Sequence, residues 1–396
     1  MGRFGYRIYL IMALIVFMFV AVIPIKFSSV QAEENTNIKI HYIDVGQGDS
    51  TFIEFSDGKT MLIDGGEEDY GKRVVKYIKN LGYTKIDYMV ATHSDSDHIG
   101  GLITVLKKME VGVIYRPFTI SVNSEYDFVD ELYTQFLTNL NSYQVDTSDT
   151  YAEFLSLVYD ETINDNLSTI KTISSAENLF SQDENNPYLI KFFMPRAEEC
   201  YSTLRIDNCY TVNKHEDNND SSAVIEIITE SSKFLFMGDL TTEGESEFLD
   251  SISDRTMLAS VSVLKVGHHG AKTSTSAELL NLINPKFAIV SVGEDNDYGH
   301  PASATLNRLS SAGAIIYRTD NMGTIIVEER GGILYFTNIE TKSFFVKYPW
   351  VLYLIITVVI VGLVVMVLVY ERIKKRKNVA DEDYKLTKPV DKVDIK

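Results

Sequence analysis

Cysteine is scarce in this chain, with two residues among 396. A zinc module built from four cysteines is therefore excluded, and the length excludes a small disulfide scaffold. Basic residues are also in deficit: 37 lysines and arginines face 55 acidic residues, so the formal net charge is −18. This deficit argues against a general binder of nucleic acid or anionic membranes. Hydrophobic residues make up 45% of the chain, which excludes a disordered polymer.

The charge is unevenly distributed along the chain. Residues 1–32 and the tail 371–396 each carry a net charge of +3, which leaves −24 for the 317 residues from 33 to 349. The acidity therefore belongs to one central body, which is large enough for one domain with an insertion.

The first 32 residues predict a signal peptide. Arg3 and Arg7 precede an apolar run from Tyr9 to Ile25, and small residues around Ala32 supply a cleavage site. An uncleaved membrane helix is the alternative, because the apolar run is long for a signal peptide.

A second apolar run, at residues 350–370, predicts a transmembrane helix. It is free of charged residues and long enough to cross a hydrocarbon core of ~30 Å. A basic cluster at 372–377 follows and predicts that the tail 371–396 is cytoplasmic. We expect a single-pass protein of the cell membrane, with the body at 33–345 outside the cell. Cys200 and Cys209 lie in that body, either as a disulfide or as two thiols.

Strand-like and helix-like stretches alternate over 38–109 and again over 222–327. Between them, at about 119–216, the chain is rich in Asn, Asp, Ser and Tyr and has no such rhythm. The pattern predicts one mixed α/β (α+β) sandwich, interrupted by a functional or family-specific insertion of roughly 100 residues.

Histidines mark the first chemical motif, Thr-His-Ser-Asp-Ser-Asp-His-Ile-Gly-Gly at 92–101. His93 and Asp95 leave an apolar strand and can point to the same side, because side chains alternate along a strand. Asp97 and His98 then enter the next helix. Ser and Asp favour helix starts, but that role does not require two histidines, so the motif predicts a metal site.

Two further strands end in ligand-type residues. An apolar strand at 234–237 runs into Gly238-Asp239, and another at 263–266 runs into Gly267-His268-His269-Gly270. Each ending is weak evidence alone. Their common position after hydrophobic strands predicts that they converge at one edge of a sheet.

The order of these motifs resembles the metallo-β-lactamase superfamily of hydrolases, and most closely the hydrolase domains of ComEC-type DNA-uptake channel proteins. The resemblance covers about 38–118 and 219–328. It includes Asp-Val-Gly-Gln-Gly-Asp-Ser at 44–50, Leu-Ile-Asp-Gly-Gly at 62–66 and Tyr-Gly-His-Pro at 298–301. It implies an αββα sandwich with one or two divalent metals at the sheet edge. The insertion and the membrane helix lie outside it.

The resemblance also implies roles for individual residues. His93 and Asp95 would bind a first metal, and Asp97, His98 and His268 a second, with Asp239 bridging both. Two such metals would hold a bridging hydroxide as the nucleophile, so no Ser or Cys nucleophile is needed.

Two residues depart from the superfamily pattern. Asp95 stands where many members have histidine, and Asn219 stands near the place of another metal histidine. The first site is therefore poorer in nitrogen, which leaves both zinc and manganese open as the metal.

The remaining polar residues of this edge are second candidates. His269 and His300, together with Asp97, form the predicted catalytic set, in which the histidines donate a proton to the leaving group or hold a phosphate. The residues predicted to contact a metal ligand or the substrate are Asp44, Asp49, Asp64, Asn219 and Ser222. Asp64 is expected to orient a metal histidine, whereas turn formation is the alternative role of Asp49.

Three functions compete. The favoured one is a cell-surface metal-dependent phosphodiesterase or nuclease. The second is a hydrolase of another surface ester, such as phosphorylcholine on wall polymers, and the third is a non-catalytic receptor or ectodomain that keeps the fold. Nucleic acid remains open as a partner, although only short basic patches, such as Lys107-Lys108 and Arg116, support it. The sequence leaves the oligomeric state open.

Overall fold

The computed structural model describes residues 36–117, 119–121, 144–160, 169–173, 178–194, 218–338 and 349–386. The predicted signal peptide, both cysteines and much of the predicted insertion lie outside these ranges.

The strands are β1 (Thr36–Tyr42), β2 (Thr51–Phe55), β3 (Thr60–Ile63), β4 (Lys85–Val90), β5 (Glu110–Arg116), β6 (Thr119–Ser121), β7 (Gln144–Asp146), β8 (Thr169–Thr172), β9 (Asn178–Phe180), β10 (Tyr188–Met194), β11 (Val224–Thr229), β12 (Lys233–Phe236), β13 (Val263–Lys265), β14 (Phe287–Val290), β15 (Ile315–Arg318), β16 (Ile325–Arg330) and β17 (Ile333–Asn338). The helices are α1 (Gly71–Asn80), α2 (Ser96–Leu106), α3 (Asp149–Val158), α4 (Thr242–Ser251), α5 (Ala277–Ile283), α6 (Ser303–Ser311), α7 (Thr319–Met322) and α8 (Pro349–Leu386).

Two large sheets dominate the described chain. The first has the strand order β17-β16-β1-β2-β3-β4-β5-β8, and the second has the order β15-β14-β13-β12-β11-β10-β9. Strands β6 and β7 form a separate two-stranded sheet. In the first sheet, β3, β4 and β5 run parallel, and in the second, β12 to β15 do.

The two sheets face each other across an apolar core. Ile40 and Ile53 of the first sheet pack in the same cluster as Ile225 and Phe234 of the second. Helices α1, α2 and α3 cover the outer face of the first sheet, and α4, α5 and α6 cover the outer face of the second. The architecture is therefore the αββα sandwich that the sequence predicts.

Strand alternation assigns residues to these layers. In β12, Phe234 and Phe236 face the core between the sheets, while Leu235 packs under the outer helices. Both faces of each sheet are covered, so the central strands consist almost entirely of buried residues. This explains why these stretches appear in the sequence as short, continuous apolar runs.

Parts of the predicted insertion at 119–216 contribute strands and a helix to the sandwich. Strand β8 pairs with β5 at the edge of the first sheet, and β10 pairs with β11 in the second. Helix α3 packs on the outer face of the first sheet. These pieces belong to the sandwich, because the open edges of both sheets require pairing strands and covering side chains.

The C-terminal helix α8 extends beyond the predicted span of 350–370. The segment Trp350–Arg376 has a mean hydropathy of 3.2 over its most apolar window, and none of that window is buried in protein. Its length and composition suffice for one membrane crossing.

Candidate metal centre

Polar residues follow strands of both sheets at one edge of the sandwich. In the first sheet, His93 follows β4, and Asp97 and His98 lie in the first turn of α2. In the second sheet, Asp239 follows β12 and His269 follows β13. Strands β12 and β13 are parallel, and the carboxyl ends of such strands meet at the same sheet edge, where α/β proteins bind ligands.

These side chains form one compact cluster. Candidate ligand atoms of Asp49, His98, Asp239 and His269 all lie within 4.8 Å of one another, and all four residues are buried. His98 Nε2 is 3.2 Å from Asp239 Oδ1, and His269 Nε2 is 3.3 Å from Asp239 Oδ2. Asp97 Oδ2 lies 3.1 Å from His269 Nε2. Imidazoles and carboxylates at these separations suit a divalent cation.

His93 and Asp95 lie beside this cluster, where the sequence places the first metal. His93 Nε2 is 3.8 Å from Asp95 Oδ2, and the ring centroids of His93 and His98 are 4.2 Å apart. His93 is fully buried, whereas the Asp95 side chain is 38% exposed. The predicted first metal position therefore borders solvent on the Asp95 side.

The hydrogen bonding of three buried atoms indicates whether these residues can hold a metal. His93 Nε2 is buried and has no hydrogen-bond partner within the described ranges, and the buried pair His98 Nε2 and Asp239 Oδ1 lie 3.2 Å apart without good hydrogen-bond geometry. Buried polar atoms are nearly always hydrogen-bonded, so such atoms point to a ligand. Two imidazole nitrogens and a carboxylate oxygen match the donor set of Zn²⁺ or a similar transition metal. The residues therefore fit one or two metal ions.

Electrostatics in the cluster shifts the pKa values of acids and bases in opposite directions. Burial lowers the pKa of His98, but Asp239 and Asp64 outweigh burial and raise that pKa well above 6.5. Burial raises the pKa of Asp239, but His269 and His98 outweigh it and hold that pKa well below 3.8. Without metal the cluster is a set of ion pairs, so a cation must displace protons from the histidines.

Comparison with known families agrees with this geometry. A family model described as the Metallo-beta-lactamase superfamily matches residues 43–125, which include the His93–His98 motif. The chain carries a metallo-β-lactamase-fold domain. Residues 43–125 are therefore similar to the metallo-β-lactamase superfamily, and the described chain holds a candidate metal site.

Curated relatives of the metallo-β-lactamase-fold domain are longer proteins. ComE operon protein 3 of Bacillus subtilis is 26% identical over 306 residues, which cover 72% of this chain and 32% of the relative. Competence protein ComA of Neisseria gonorrhoeae is 35% identical over 112 residues, which cover 28% of this chain and 16% of the relative. The chain thus spans about a third or less of the length of these relatives.

A solved structure is similar at lower identity. The metallo-beta-lactamase fold protein YhfI from Bacillus subtilis is 10% identical, with a TM-score of 0.38, and the match covers 76% of this chain and 100% of that one.

Asp64 lies behind His98 in the metallo-β-lactamase-fold domain. Asp64 Oδ2 is 2.9 Å from His98 Nδ1, and the Asp64 carboxylate also accepts hydrogen bonds from the backbone N–H and the hydroxyl of Thr92. The pairing at Nδ1 leaves His98 Nε2 to face Asp239. This placement agrees with the expectation that Asp64 orients a histidine of the centre.

The double histidine divides into one buried and one partly exposed ring. His269 is 1% exposed and belongs to the cluster. The His268 side chain is 24% exposed, and its Nε2 lies 3.9 Å from Asp239 Oδ2. Both residues have positive φ, 48° and 50°, so the chain turns sharply and the two rings do not follow strand alternation. The sequence places His268 on the metal and His269 outside it, whereas the structure brings His269 closer to Asp239.

His300 lies at the rim of the centre. Its ring centroid is 5.6 Å from that of His268 and 6.5 Å from that of His269. Burial lowers the pKa of His300, and the neighbouring rings of His268 and His269 lower it further. His300 is therefore neutral at pH 7 and is better suited to hydrogen-bond a substrate than to donate a proton as a cation.

The other predicted contacts differ in their placement. Ser222 Oγ accepts a hydrogen bond of 3.0 Å from the backbone N–H of Asp239, so Ser222 supports the β12 ending. Asn219 is buried in a short 3₁₀ turn that precedes β11. Asp44 Oδ2 lies 3.7 Å from Arg73, and its Oδ1 accepts from the backbone N–H of Gly46. Asp44 is not part of the four-residue cluster.

Sequence reasoning missed Lys265. This lysine is 2% exposed in β13 and donates hydrogen bonds to Asp49 Oδ2 and to the backbone oxygen of Val266. A lysine between apolar neighbours in a strand was the available signal, because a buried lysine requires a charged or polar partner.

Arg116 also differs from expectation. It is fully buried, and its guanidinium donates to Tyr151 Oη at 3.1 Å, to Tyr159 Oη at 3.0 Å and to the backbone oxygen of Pro117 at 3.1 Å. Arg116 therefore holds α3 against β5, and it is not available to a nucleic acid.

Proposed function

We propose that the protein is a membrane-anchored, metal-dependent phosphodiesterase. The carrying observation is the buried cluster around His98, Asp239 and His269, whose candidate ligand atoms lie within 4.8 Å of one another, with the His93 ring 4.2 Å from that of His98. In this proposal His93 and Asp95 hold one divalent metal, whereas Asp97, His98, Asp239 and His269 hold the other. A bound divalent metal supplies Lewis acidity, which activates water and neutralises charge on a phosphate ester.

The chain's own residues prepare this site for an ester with a charged centre. Asp64 fixes the His98 ring, and Ser222 fixes the backbone of Asp239. Burial of the cluster excludes bulk water, so charges in it interact more strongly than they would in solvent. His300 stands at the rim as a neutral group that can hydrogen-bond a substrate oxygen.

The printed names of two relatives motivate the choice of a nucleic acid among the substrates to be tested. These names refer to competence and, in Haemophilus influenzae, to recombination. The surface offers less support for a long nucleic-acid track, because Arg116 is buried and Lys107 pairs with Glu153 at 2.6 Å. We therefore favour a short substrate that presents one phosphate ester to the site.

A second candidate, hydrolysis of a phosphorylcholine ester, has one observation in its favour. Tyr298 is 73% exposed and stacks on His300, with 5.8 Å between ring centroids. Asp295 and Asp297 of the same loop are exposed as well. An aromatic face next to carboxylates attracts a quaternary ammonium group.

A substrate panel tests the proposed function. The full chain is purified in detergent micelles, its bound metal is measured, and it is assayed with Mn²⁺ or Zn²⁺. The panel contains bis-(p-nitrophenyl) phosphate, single- and double-stranded DNA, p-nitrophenyl phosphorylcholine and a β-lactam.

The variant Asp239→Asn should abolish turnover, because it removes the carboxylate shared by His98 and His269. Asp250→Asn is the matched control, since Asp250 is exposed and pairs only with Arg255 in the described chain. A metal-loaded protein that hydrolyses none of the panel would favour the non-catalytic ectodomain. Activity that survives Asp239→Asn would contradict the assigned centre.

We also propose that the hydrolase domain faces the cell exterior. The basic residues 372–377 follow the apolar part of α8, and such clusters remain on the cytoplasmic side. Protease added to intact cells should then remove the domain and leave a membrane-bound tail. A domain that resists protease in intact cells and is cut only after lysis would reverse the orientation.

A further inference from the structure

Lys265 is the least expected charged residue of the sandwich. It ends β13, which lies between β12 and β14 in the second sheet, and 2% of its surface is exposed. Its ammonium group donates hydrogen bonds to Asp49 Oδ2 and to the backbone oxygen of Val266. Burial of an ammonium group is strongly unfavourable unless a carboxylate pairs with it. Asp49 therefore offsets the free-energy cost of burying Lys265.

The turn at 46–49 presents Asp49 to Lys265. The backbone N–H of Asp49 donates to the backbone oxygen of Asp97 at 3.1 Å, and its own backbone oxygen accepts from Gly66 at 2.7 Å. Gly48 has φ of 126°, and a Cβ there would meet the backbone oxygen of Asp97 at 2.3 Å. The turn therefore packs closely against the start of α2. Position 48 requires glycine, because a Cβ would clash with the backbone of Asp97.

Asp49 in turn contacts Nδ1 of His269, the ring nitrogen that points away from Asp239. Asp49 Oδ1 is 3.3 Å from His269 Nδ1, and the backbone oxygen of Ser291 lies 3.1 Å from the same nitrogen. Both groups are acceptors, so Nδ1 carries the proton of a neutral His269 ring. Nε2 is then left to face Asp97 and Asp239, at 3.1 and 3.3 Å.

We propose that Lys265 and Asp49 form a positioning pair that orients His269 toward the metal, and that Asp49 itself is not a metal ligand. Asp49 belongs to the four residues whose atoms lie within 4.8 Å, so direct ligation is the competing role. The ammonium group on its other oxygen decides between the two roles, because it repels a second cation on the same carboxylate. Carboxylates that hold the outer nitrogen of a ligand histidine are a common arrangement at metal sites.

This inference rests on the proposed metal centre, and it is tested by metal binding rather than by turnover. The full chain in detergent micelles is stripped with a chelator and titrated with Co²⁺, whose visible absorption reports the ligand geometry. The variants are Lys265→Met, Asp49→Asn and the double variant. Lys233→Met is the matched control, because Lys233 lies on the neighbouring strand β12 and binds the backbone oxygens of Met257 and Ala259.

Each single variant should weaken Co²⁺ binding by about 10- to 100-fold and alter its visible spectrum, as loss of outer partners does at other metal sites. Lys265→Met should also lower the unfolding temperature, because it leaves Asp49 buried without its partner. The double variant should recover the unfolding temperature but not the Co²⁺ affinity. That separation distinguishes positioning of His269 from a purely structural role. Lys233→Met should bind Co²⁺ normally.

Several results would overturn the inference. Loss of one whole Co²⁺ equivalent in Asp49→Asn, with normal binding in Lys265→Met, would make Asp49 a ligand. Recovery of both stability and affinity in the double variant would reduce the pair to a structural role. A wild-type chain that binds no Co²⁺ would remove the metal centre and this inference together. If Lys265→Met does not fold, Asp49→Asn alone still decides, because a positioning role predicts an altered site with full metal content.

A chain that binds Co²⁺ as expected but hydrolyses no phosphodiester would reject the proposed function and leave the pair intact.

Discussion

Removal of the metal should leave a protein whose stability falls as the pH rises above neutrality. Burial lowers the pKa values of His98 and His269, but the surrounding carboxylates, above all Asp239, raise both well above 6.5. The native state therefore keeps protons that the unfolded chain releases. The stabilisation is fully present below pH 6.5, and it is lost as the pH rises through the native pKa values.

The size of the effect follows from the number of protons. One proton held by the native state and not by the unfolded state changes the free energy of unfolding by about 1.4 kcal/mol per pH unit. Two histidines give at most about 2.7 kcal/mol per pH unit, or roughly 5–10 °C in unfolding temperature for a domain of this size. Asp97 and Asp239 do not interfere, because their lowered pKa values confine their effect to acid pH.

Thermal unfolding of the full chain in detergent micelles measures this slope between pH 6 and 9, with chelator and with added Zn²⁺ or Mn²⁺. Metal should flatten the slope, because histidine binds metal in its neutral form. Asp64→Asn should reduce the slope in the chelator, since Asp64 is one of the carboxylates that raise the pKa of His98. A stability that is constant or rising across this range in the chelator would refute the reasoning, as would an equal slope with metal.

Three substitutions probe other parts of the structure. Gly48→Ala should lower the free energy of unfolding by roughly 2–5 kcal/mol, because its Cβ clashes with backbone and its φ is unfavourable. Gly58→Ala has open space at its Cβ and should lower the free energy of unfolding by about 1 kcal/mol. Denaturant unfolding measures both values. Arg116→Met should lower the free energy of unfolding by about 3–5 kcal/mol, because it removes the donor to buried oxygens. Arg255→Met removes only exposed ion pairs and should change the free energy of unfolding by less than about 1 kcal/mol. Equal losses within either pair would contradict these assignments. Tyr298→Ala should raise the KM for a phosphorylcholine ester by roughly 3- to 30-fold with kcat unchanged, and Tyr298→Phe should leave both constants near wild type; a fall in kcat would place the ring in the reaction itself.

Much of the sandwich could be predicted because its strands are short apolar runs that end in Gly, Asp or His. Strands β8 to β10 could not, because they lie among Asn-, Asp- and Ser-rich stretches, and their pairing with β5 and β11 is set by contacts distant in sequence. The existence of a cluster around His98 and Asp239 was predictable from strand endings, since the topology brings those endings together.

The division of roles within the cluster was harder to predict. His268 and His269 both have positive φ, so strand alternation does not say which ring points inward. Lys265 could not be paired from sequence, because Asp49 is 216 positions away. A local pattern thus predicts which residue types meet at the edge, but not which atoms face each other.

The ten residues 339–348 join the last strand of the sandwich to α8. Ten residues of any conformation can separate the two elements by at most about 35 Å. If α8 crosses a bilayer, the small number of connecting residues confines the hydrolase domain to a thin layer at the membrane, of roughly 100 Å once the domain's own width is added. An enzyme held in that layer meets its substrate by diffusion within the layer, so its working concentration depends on the area of membrane and not on the volume of medium. Polymers and lipids attached at the same surface would then be favoured over dilute solutes of identical chemistry.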